Sequence, residues 1–516
     1  MHMKKSIAFL FTIIFFIVVS CKKSSLNREE LLTEDELMST EKIDAFIKDQ
    51  CRSTGHFEWN TANDVMVWSA VQQSDHVMSV GYKPEWEGNI DDRIHLINIQ
   101  DEEWKAVKEK LLQMILASEQ KLDKTISMAQ VIQWEEEVLP VLNVNVRNLE
   151  TVKMLRASKM VRYAEPMGYE PKEAVNRVSK ELSSSGCSND PHSGLVNGAD
   201  YISISPNAKQ SWNLAYHNIP SAWTRSTGAG IKVFVIDTGC EFDQENLGAA
   251  FNQGNSGGRT VEKIVTLPRS TIFGIPYGPT ETPDDGCGHG TAMAGALSAP
   301  RGVDGAACGV AYNCNLVTCR AAEDVFLDAS REAKGVANAY INAANRSDVK
   351  IISMSMGRIT NSSQVADAIN YAYGKGKLMF CAAGTSFSWA AGWYGVVFPA
   401  WLSNVNAVTG VKENDVNATC ETCHSGTQTD FTVVMEKASS NLHQLSLAMQ
   451  GDVPSTVGGS SVSTATMSGM AALVWSRFPS YTRDQVLNKL IQSSSKYPNK
   501  SSTLGWGNVN AYLATN

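Results

Sequence analysis

The chain has 516 residues, 43% of them hydrophobic and 19% charged, with a formal net charge of -8 and a pI of about 5.7. That length predicts two or three units, and the balance of apolar and charged residues excludes a largely disordered chain. The mild acidic excess argues against a nucleic-acid partner, which needs a basic face.

The N-terminus reads as a targeting segment. Lys4 and Lys5 precede residues 6–20, an almost unbroken apolar run that is too short to cross a bilayer comfortably. It ends in Val18-Val19-Ser20-Cys21. A small residue before cysteine resembles the bacterial lipobox. This resemblance implies a lipoprotein signal peptide over residues 1–20, lipidation at Cys21 and an extracytoplasmic protein held at a membrane surface. Residues 21–55 are polar and read as a tether with some helical character.

Residues 56–170 predict a small α+β domain. Residues 93–99 alternate like a strand, Asp101 stands where it caps a helix over 102–121, and residues 138–146 alternate again. Asn148 opens a short helix containing Val152, Leu155 and Arg156, and residues 161–165 close with a strand. Residues 171–206 contain a Ser-, Gly-, Asn- and Pro-rich stretch and read as an exposed linker with a processing site.

Eleven cysteines are present, and setting Cys21 aside leaves ten. An even set in an oxidising compartment predicts disulfides, although order alone does not fix the pairing. Cys240 and Cys287 are expected to bridge each other or cysteines near them. Cys420-Glu421-Thr422-Cys423-His424 matches the spacing of c-type haem attachment. Inside a loop of the last unit it reads instead as a short disulfide loop.

Residues 207–516 alternate short apolar runs with helical patterns. Residues 231–236, 316–319, 351–356, 378–383 and 405–411 are expected strands, and the alternation predicts an α/β unit with a parallel sheet flanked by helices. Three segments carry chemistry. The strand Val233-Phe234-Val235-Ile236 ends at Asp237-Thr238-Gly239, a carboxylate at the strand end where open sheets place active sites. Gly288-His289-Gly290-Thr291 surrounds an imidazole with small residues. Gly459-Ser460-Ser461-Val462-Ser463-Thr464-Ala465 sets a serine before an apolar helix.

The order Asp237, His289, Ser461 with these flanks resembles the subtilisin family of serine proteases. Other stretches agree: Gly309-Val310-Ala311, Ile352-Ser353-Met354-Ser355-Met356-Gly357, Ala382-Ala383-Gly384, Phe398-Pro399-Ala400 and Gly505-Trp506-Gly507. The resemblance implies a subtilisin-like α/β fold and peptide-bond hydrolysis with Asp237, His289 and Ser461 as triad. It implies substrate contacts from Ser355, Met356, Gly357, Ala382, Ala383 and Gly384, and no required cofactor. Thr385 stands where the family has the asparagine that donates to the oxyanion; Ser386 is the alternative donor. The upstream α+β unit resembles subtilisin propeptides, which implies an intramolecular inhibitor released by cleavage. Calcium, bound by many members, is placed by no motif. Asp284, Asp285, Glu323 and Asp324 read as solvated charges. Residues 436–457 form a long insert before the serine motif that could cover the cleft. The substituted oxyanion position leaves two rivals: a weak or inactive binding protein on the same fold, and a dedicated processing protease.

Overall fold

Most strands of the main sheet are short apolar runs covered on both faces, while the edge strand Val261–Val265 is half-buried along its length. In Lys232–Asp237 the four side chains from Val233 to Ile236 are at most 1% exposed. The computed structural model describes residues 37–172, 187, 189–272, 275–385 and 395–516. In sheet order the strands are Thr429–Glu436, Asn406–Lys412, Leu378–Ala382, Val349–Met354, Lys232–Asp237, Asn315–Arg320 and Val261–Val265. All neighbouring pairs are parallel.

The first strand in sequence, Lys232–Asp237, lies inside the sheet, with Asn315–Arg320 on one side and Val349–Met354 on the other. The chain builds outward in one direction and then in the other. Open α/β sheets bind ligands at such a reversal, just beyond the carboxyl ends of the strands. Asp237 is the last residue of its strand there.

Side chains alternate across the sheet into two cores. Val233, Val235, Ile351 and Phe380 pack with helices His289–Ser298 and Gly459–Arg477. Phe234, Ile236, Ile352 and Met354 pack with helices Ser330–Asn345 and Ser363–Gly374. Helix Gly459–Arg477 is buried nearly all round, which explains its weak amphipathic pattern.

The upstream unit is a four-stranded antiparallel layer, Ile132–Trp134, Val141–Asn145, Val77–Tyr82 and Val161–Pro166 in sheet order. Its helix Leu149–Ala157 starts where expected, with the Asn148 side chain accepting from Glu150 N. One sequence expectation is corrected here, and two elements are added to it. Residues 93–99 are not a strand: Asp91–Leu96 is a 3₁₀ helix in which Ile94 is buried while Leu96 is exposed. The strand Val77–Tyr82 went unread because it is buried on both faces and interrupted by Ser79 and Gly81. The second half of the 21–55 tether is helix Thr40–Thr54, which buries Ile43, Ile47 and Cys51 in the core of the layer.

Two further boundaries move. The hairpin of Tyr201–Ile204 with Ala208–Ser211 spans the linker boundary drawn at residue 206. The 436–457 insert is anchored in the body of the fold. Its strands Gln444–Ser446 and Ser455–Val457 pair, Leu445 and Leu447 are buried, and Ser446 Oγ donates to Ala292 O beneath the histidine helix.

The layer rests on helices Ser330–Asn345 and Ser363–Gly374, and Val77, Leu139, Val141 and Met167 share one core with Val336, Tyr340 and Val365. Glu165 accepts from Ser363 N and Oγ at the start of the second helix. Arg358 and Glu170, both 0% exposed, pair at 2.9 Å between Nε and Oε1.

Among the described residues the disulfides are Cys187–Cys287 and Cys420–Cys423. The Cys240–Cys287 expectation is corrected: Cys240 is a free, buried thiol, as are Cys51, Cys308, Cys314, Cys319 and Cys381. Burial pushes Cys240 up to about 12, so this thiol is an inert core residue.

Candidate active site

The strand–turn Asp237-Thr238-Gly239 and the helix starting at His289 meet because small residues permit it. A Cβ on Gly290 would collide with Gly239 O. The packing brings His289 Nδ1 to 2.7 Å from Asp237 Oδ1, with both side chains 1% exposed. Asp237 Oδ1 also accepts from Thr238 N at 2.8 Å. His289 Nε2 is buried and has no hydrogen-bond partner among the described residues. Burial by itself would lower the His289 pKa. The nearby Asp237 charge, its hydrogen bond and the Asp285 charge outweigh that and hold it above the ordinary 6.5.

Ser461 lies in the first turn of helix Gly459–Arg477. Ser461 and Ser355 are bound reciprocally: Ser355 Oγ donates to Ser461 O at 3.0 Å, and Ser461 Oγ donates to Ser355 O at 3.3 Å. The serine hydroxyl therefore faces the Ser355 carbonyl and is not bonded to His289. On the other side, Gly384 N donates to Ser460 Oγ at 3.2 Å. Thr385 Oγ1 accepts from Ser460 N at 3.0 Å and lies 2.9 Å from Ser460 Oγ. The threonine hydroxyl is thus engaged by the residue before Ser461. Ser386 lies outside the described residues.

The six expected substrate contacts flank Ser461 in two segments. Met356 and Ala383 send their side chains into the core, so they offer backbone only. Gly357 is already paired: its N–H donates to Val325 O at 3.2 Å and its carbonyl accepts from Leu327 N at 3.0 Å. The Cys420–Cys423 loop buttresses the Ala382–Gly384 segment. Thr385 pairs with Cys423, and His424 N donates to Gly384 O at 2.9 Å. Burial lowers the His424 ring to about 4, and it stays neutral against Gly395 O at 2.8 Å.

The sequence reading of Asp285 as a solvated charge is corrected. It is 0% exposed. Its Oδ1 accepts from Thr238 Oγ1 at 2.8 Å, Gly288 N at 2.7 Å and Cys287 N at 3.2 Å. Its Oδ2 accepts from Thr291 N at 2.8 Å and Thr291 Oγ1 at 2.7 Å. One carboxylate therefore ties the turn after Asp237 to the turn that presents His289. Its position four residues before the histidine was the available signal. The bridge from Cys187 to Cys287 fixes a second point of the same turn. No group of three or more His, Cys, Asp or Glu suited to a metal occurs among the described residues. Cys21 lies outside them.

The subtilase family model matches residues 228–507. A subtilisin of Bacillus sp. (strain TA39) is 26% identical over 304 residues, covering 56% of this chain and 67% of the relative. Thermitase of Thermoactinomyces vulgaris is 27% identical over 298 residues, covering 57% of this chain and 92% of the relative. Among solved structures, MycP1 from Mycobacterium smegmatis aligns with a TM-score of 0.47 at 22% identity, covering 64% of this chain and 88% of the other.

Proposed function

Given that the chain belongs to the subtilase family and is a serine-type endopeptidase acting on polypeptides, we propose that Asp237, His289 and Ser461 are its catalytic triad. The observation that carries this reading is the buried 2.7 Å contact of His289 Nδ1 with Asp237 Oδ1, with Nε2 left unpartnered among the described residues. Asp237 fixes the tautomer that keeps a lone pair on Nε2. Ser461 Oγ exchanges the Ser355 carbonyl for Nε2, loses its proton to it and attacks the peptide carbonyl. The imidazolium then protonates the leaving amine, and water hydrolyses the acyl-enzyme by the same route. The Ser461 N–H, at a helix start, faces the developing oxyanion.

His289 acts as base only when neutral. Its pKa is held above 6.5, so kcat/KM rises with pH through that higher value. Asp285→Asn removes one of the two charges that raise it. The acid limb of kcat/KM is expected to move to lower pH, and kcat to fall about 10²-fold as the histidine turn loosens. A pH–rate profile checks both; an unmoved limb denies Asp285 any electrostatic share.

Thr385 gives the oxyanion a weak donor at best, because its hydroxyl is held at Ser460. Thr385→Asn is expected to raise kcat by up to about 10²-fold, the lower end of the loss when subtilisin itself forfeits that amide. Steady-state kinetics on one peptide read this out, and an unchanged or lower kcat counts against it. The same feature favours a slow, selective processing protease over a digestive one.

The remaining parts follow the propeptide reading. Residues 1–20 are a signal peptide, Cys21 carries lipid, and the protein works outside the cytoplasm. The layer within residues 56–170 is a propeptide that inhibits until the linker is cut, supported by Glu165 at the start of helix Ser363–Gly374. A cut before Cys187 separates the layer from the catalytic chain. A cut after it leaves the two joined through Cys187–Cys287. Mass spectrometry with and without reductant tells these apart. Cleavage within 171–206 that Ser461→Ala abolishes supports the reading, and an intact chain in both forms counts against it.

A further inference from the structure

The backbone edge that leads away from Ser461 is occupied. It begins at Ser355, whose carbonyl accepts from Ser461 Oγ at 3.3 Å. Two residues on, the backbone groups of Gly357 point to the same side. Residues 325–327 take both: Gly357 N donates to Val325 O at 3.2 Å, and Leu327 N donates to Gly357 O at 3.0 Å. Phe326 and Gly357 form a parallel bridge. An extended peptide with its carbonyl at Ser461 needs this edge, because such a chain binds a strand edge through its main chain. Residues 325–327 hold it instead. They belong to a loop closed at its base by Glu332, whose Oε1 accepts from Glu323 N at 3.0 Å and whose Oε2 accepts from Asp328 N at 3.1 Å and Ala329 N at 3.3 Å. Among the described residues the other backbone bonds of this stretch stay inside the loop, Phe326 N to Asp324 Oδ1 and Asp328 N to Phe326 O. The loop can therefore leave Gly357 without unpicking the helix behind it.

The upstream layer supplies the rest of the hold. The half-buried Phe326 side chain packs against the layer's core. Leu327 is buried in the core that contains Val77 and Met167 of the layer. Asp75 of the layer accepts from Ser330 Oγ at 2.7 Å, and a Cβ on Gly168 would lie 3.0 Å from Ser330 N. The layer's own C-terminal stretch takes another course. Met167 O and Tyr169 O are bound by Arg358, Glu170 accepts from Ile359 N and Thr360 N, and Lys172 N donates to Asp44 Oδ2 of helix Thr40–Thr54 at 3.1 Å. As far as residue 172 it lies along residues 358–360 and not on Gly357. We propose that residues 325–327 are a plug built into the catalytic body, held on Gly357 by the docked layer, and that loss of the layer frees the edge for a polypeptide substrate. Inhibition then acts on the strand edge and leaves the partly exposed Ser461 within reach of small molecules. This inference rests on the triad and propeptide readings above.

The test compares two fluorophosphonates, one with a small alkyl group and one carrying a short peptide before the phosphorus. Each is applied to the chain with its layer attached and to the same enzyme after the layer is lost. Loss of the layer is expected to speed labelling by the peptidyl probe about 100-fold, as for an edge open about 1% of the time while the layer is docked, and to change the small probe less than about threefold. Phe326→Ala in the layer-attached chain is expected to speed the peptidyl probe about tenfold and leave the small probe unchanged. Asp75→Ala, on the layer side, should act in the same direction. Two probes that rise together on loss of the layer overturn the inference, because the block then lies at Ser461 itself. A peptidyl probe that labels the layer-attached chain as fast as the free enzyme also overturns it. A chain that never loses its layer removes the propeptide reading alone; the plug is then decided by the two variants, and it is overturned if neither speeds the peptidyl probe. A small probe that labels Ser461 in neither form removes the triad reading and this inference together.

Discussion

Ser461→Ala is expected to lower kcat/KM on a peptide substrate by about 10⁶-fold, the loss that removal of the nucleophile causes in subtilisin itself. The size follows from covalent catalysis. Without Oγ there is no acyl-enzyme, and what survives is binding and oxyanion stabilisation. His289→Ala is expected to cost about as much, because serine and histidine act as a unit and their effects do not add. The double variant should therefore be no slower than either single one. That non-additivity distinguishes a working triad from two independently useful residues. The fold should tolerate the serine change, since Ser461 donates only one long bond, to Ser355 O at 3.3 Å. A thermal midpoint near the parent's, with activity gone, is the expected pair of results. A Ser461→Ala enzyme within about tenfold of the parent would place the nucleophile elsewhere.

The largest stability effect is expected at Arg358. Its Nε meets Glu170 Oε1 at 2.9 Å, its Nη1 donates to Met167 O at 2.7 Å, and its Nη2 donates to Tyr169 O at 3.1 Å and to Thr360 Oγ1 at 2.9 Å. Glu170 in turn accepts from Ile359 N at 2.9 Å and Thr360 N at 3.0 Å. Burial holds the Glu170 acid above its usual range even with the guanidinium beside it. Desolvation is the largest influence on Glu170, so the pair is held in place against a cost of burial. Breaking it is another matter. Arg358→Met strands a buried carboxylate and is expected to cost about 3–5 kcal/mol. Glu170→Gln together with Arg358→Met should recover much of that, because no unpaired charge remains. Denaturant midpoints of the two single variants and the double one test this. A single variant within about 1 kcal/mol of the parent defeats it. Because Glu170 belongs to the upstream layer and Arg358 to the catalytic body, the single variant should also release the layer more readily after linker cleavage.

Local pattern made much of the catalytic unit legible. The five expected strands in residues 207–516 are all present, since each is a short run buried on both faces and needs no partner to identify it. The upstream layer was harder. Residues 93–99 alternate as a strand does, but two aspartates at 91 and 92 start a 3₁₀ turn in which Ile94 is buried and Leu96 is exposed. Val77–Tyr82 shows no period because both its faces are covered, one by helices of its own layer and one by the catalytic body.

The site divides in the same way. The sequence by itself singled out Asp237, His289 and Ser461 as candidates, because each sits in a local frame of glycine and small residues. Only the tertiary structure decided what surrounds them. Asp285 becomes a buried organiser because Thr238 and Thr291, from different segments, converge on it. Cys287 pairs with Cys187, 100 residues away, and not with Cys240. Thr385 is turned towards Ser460. Periodicity and motif report what a residue does within its own turn of chain; burial, pairing and pocket shape depend on which distant segments arrive beside it.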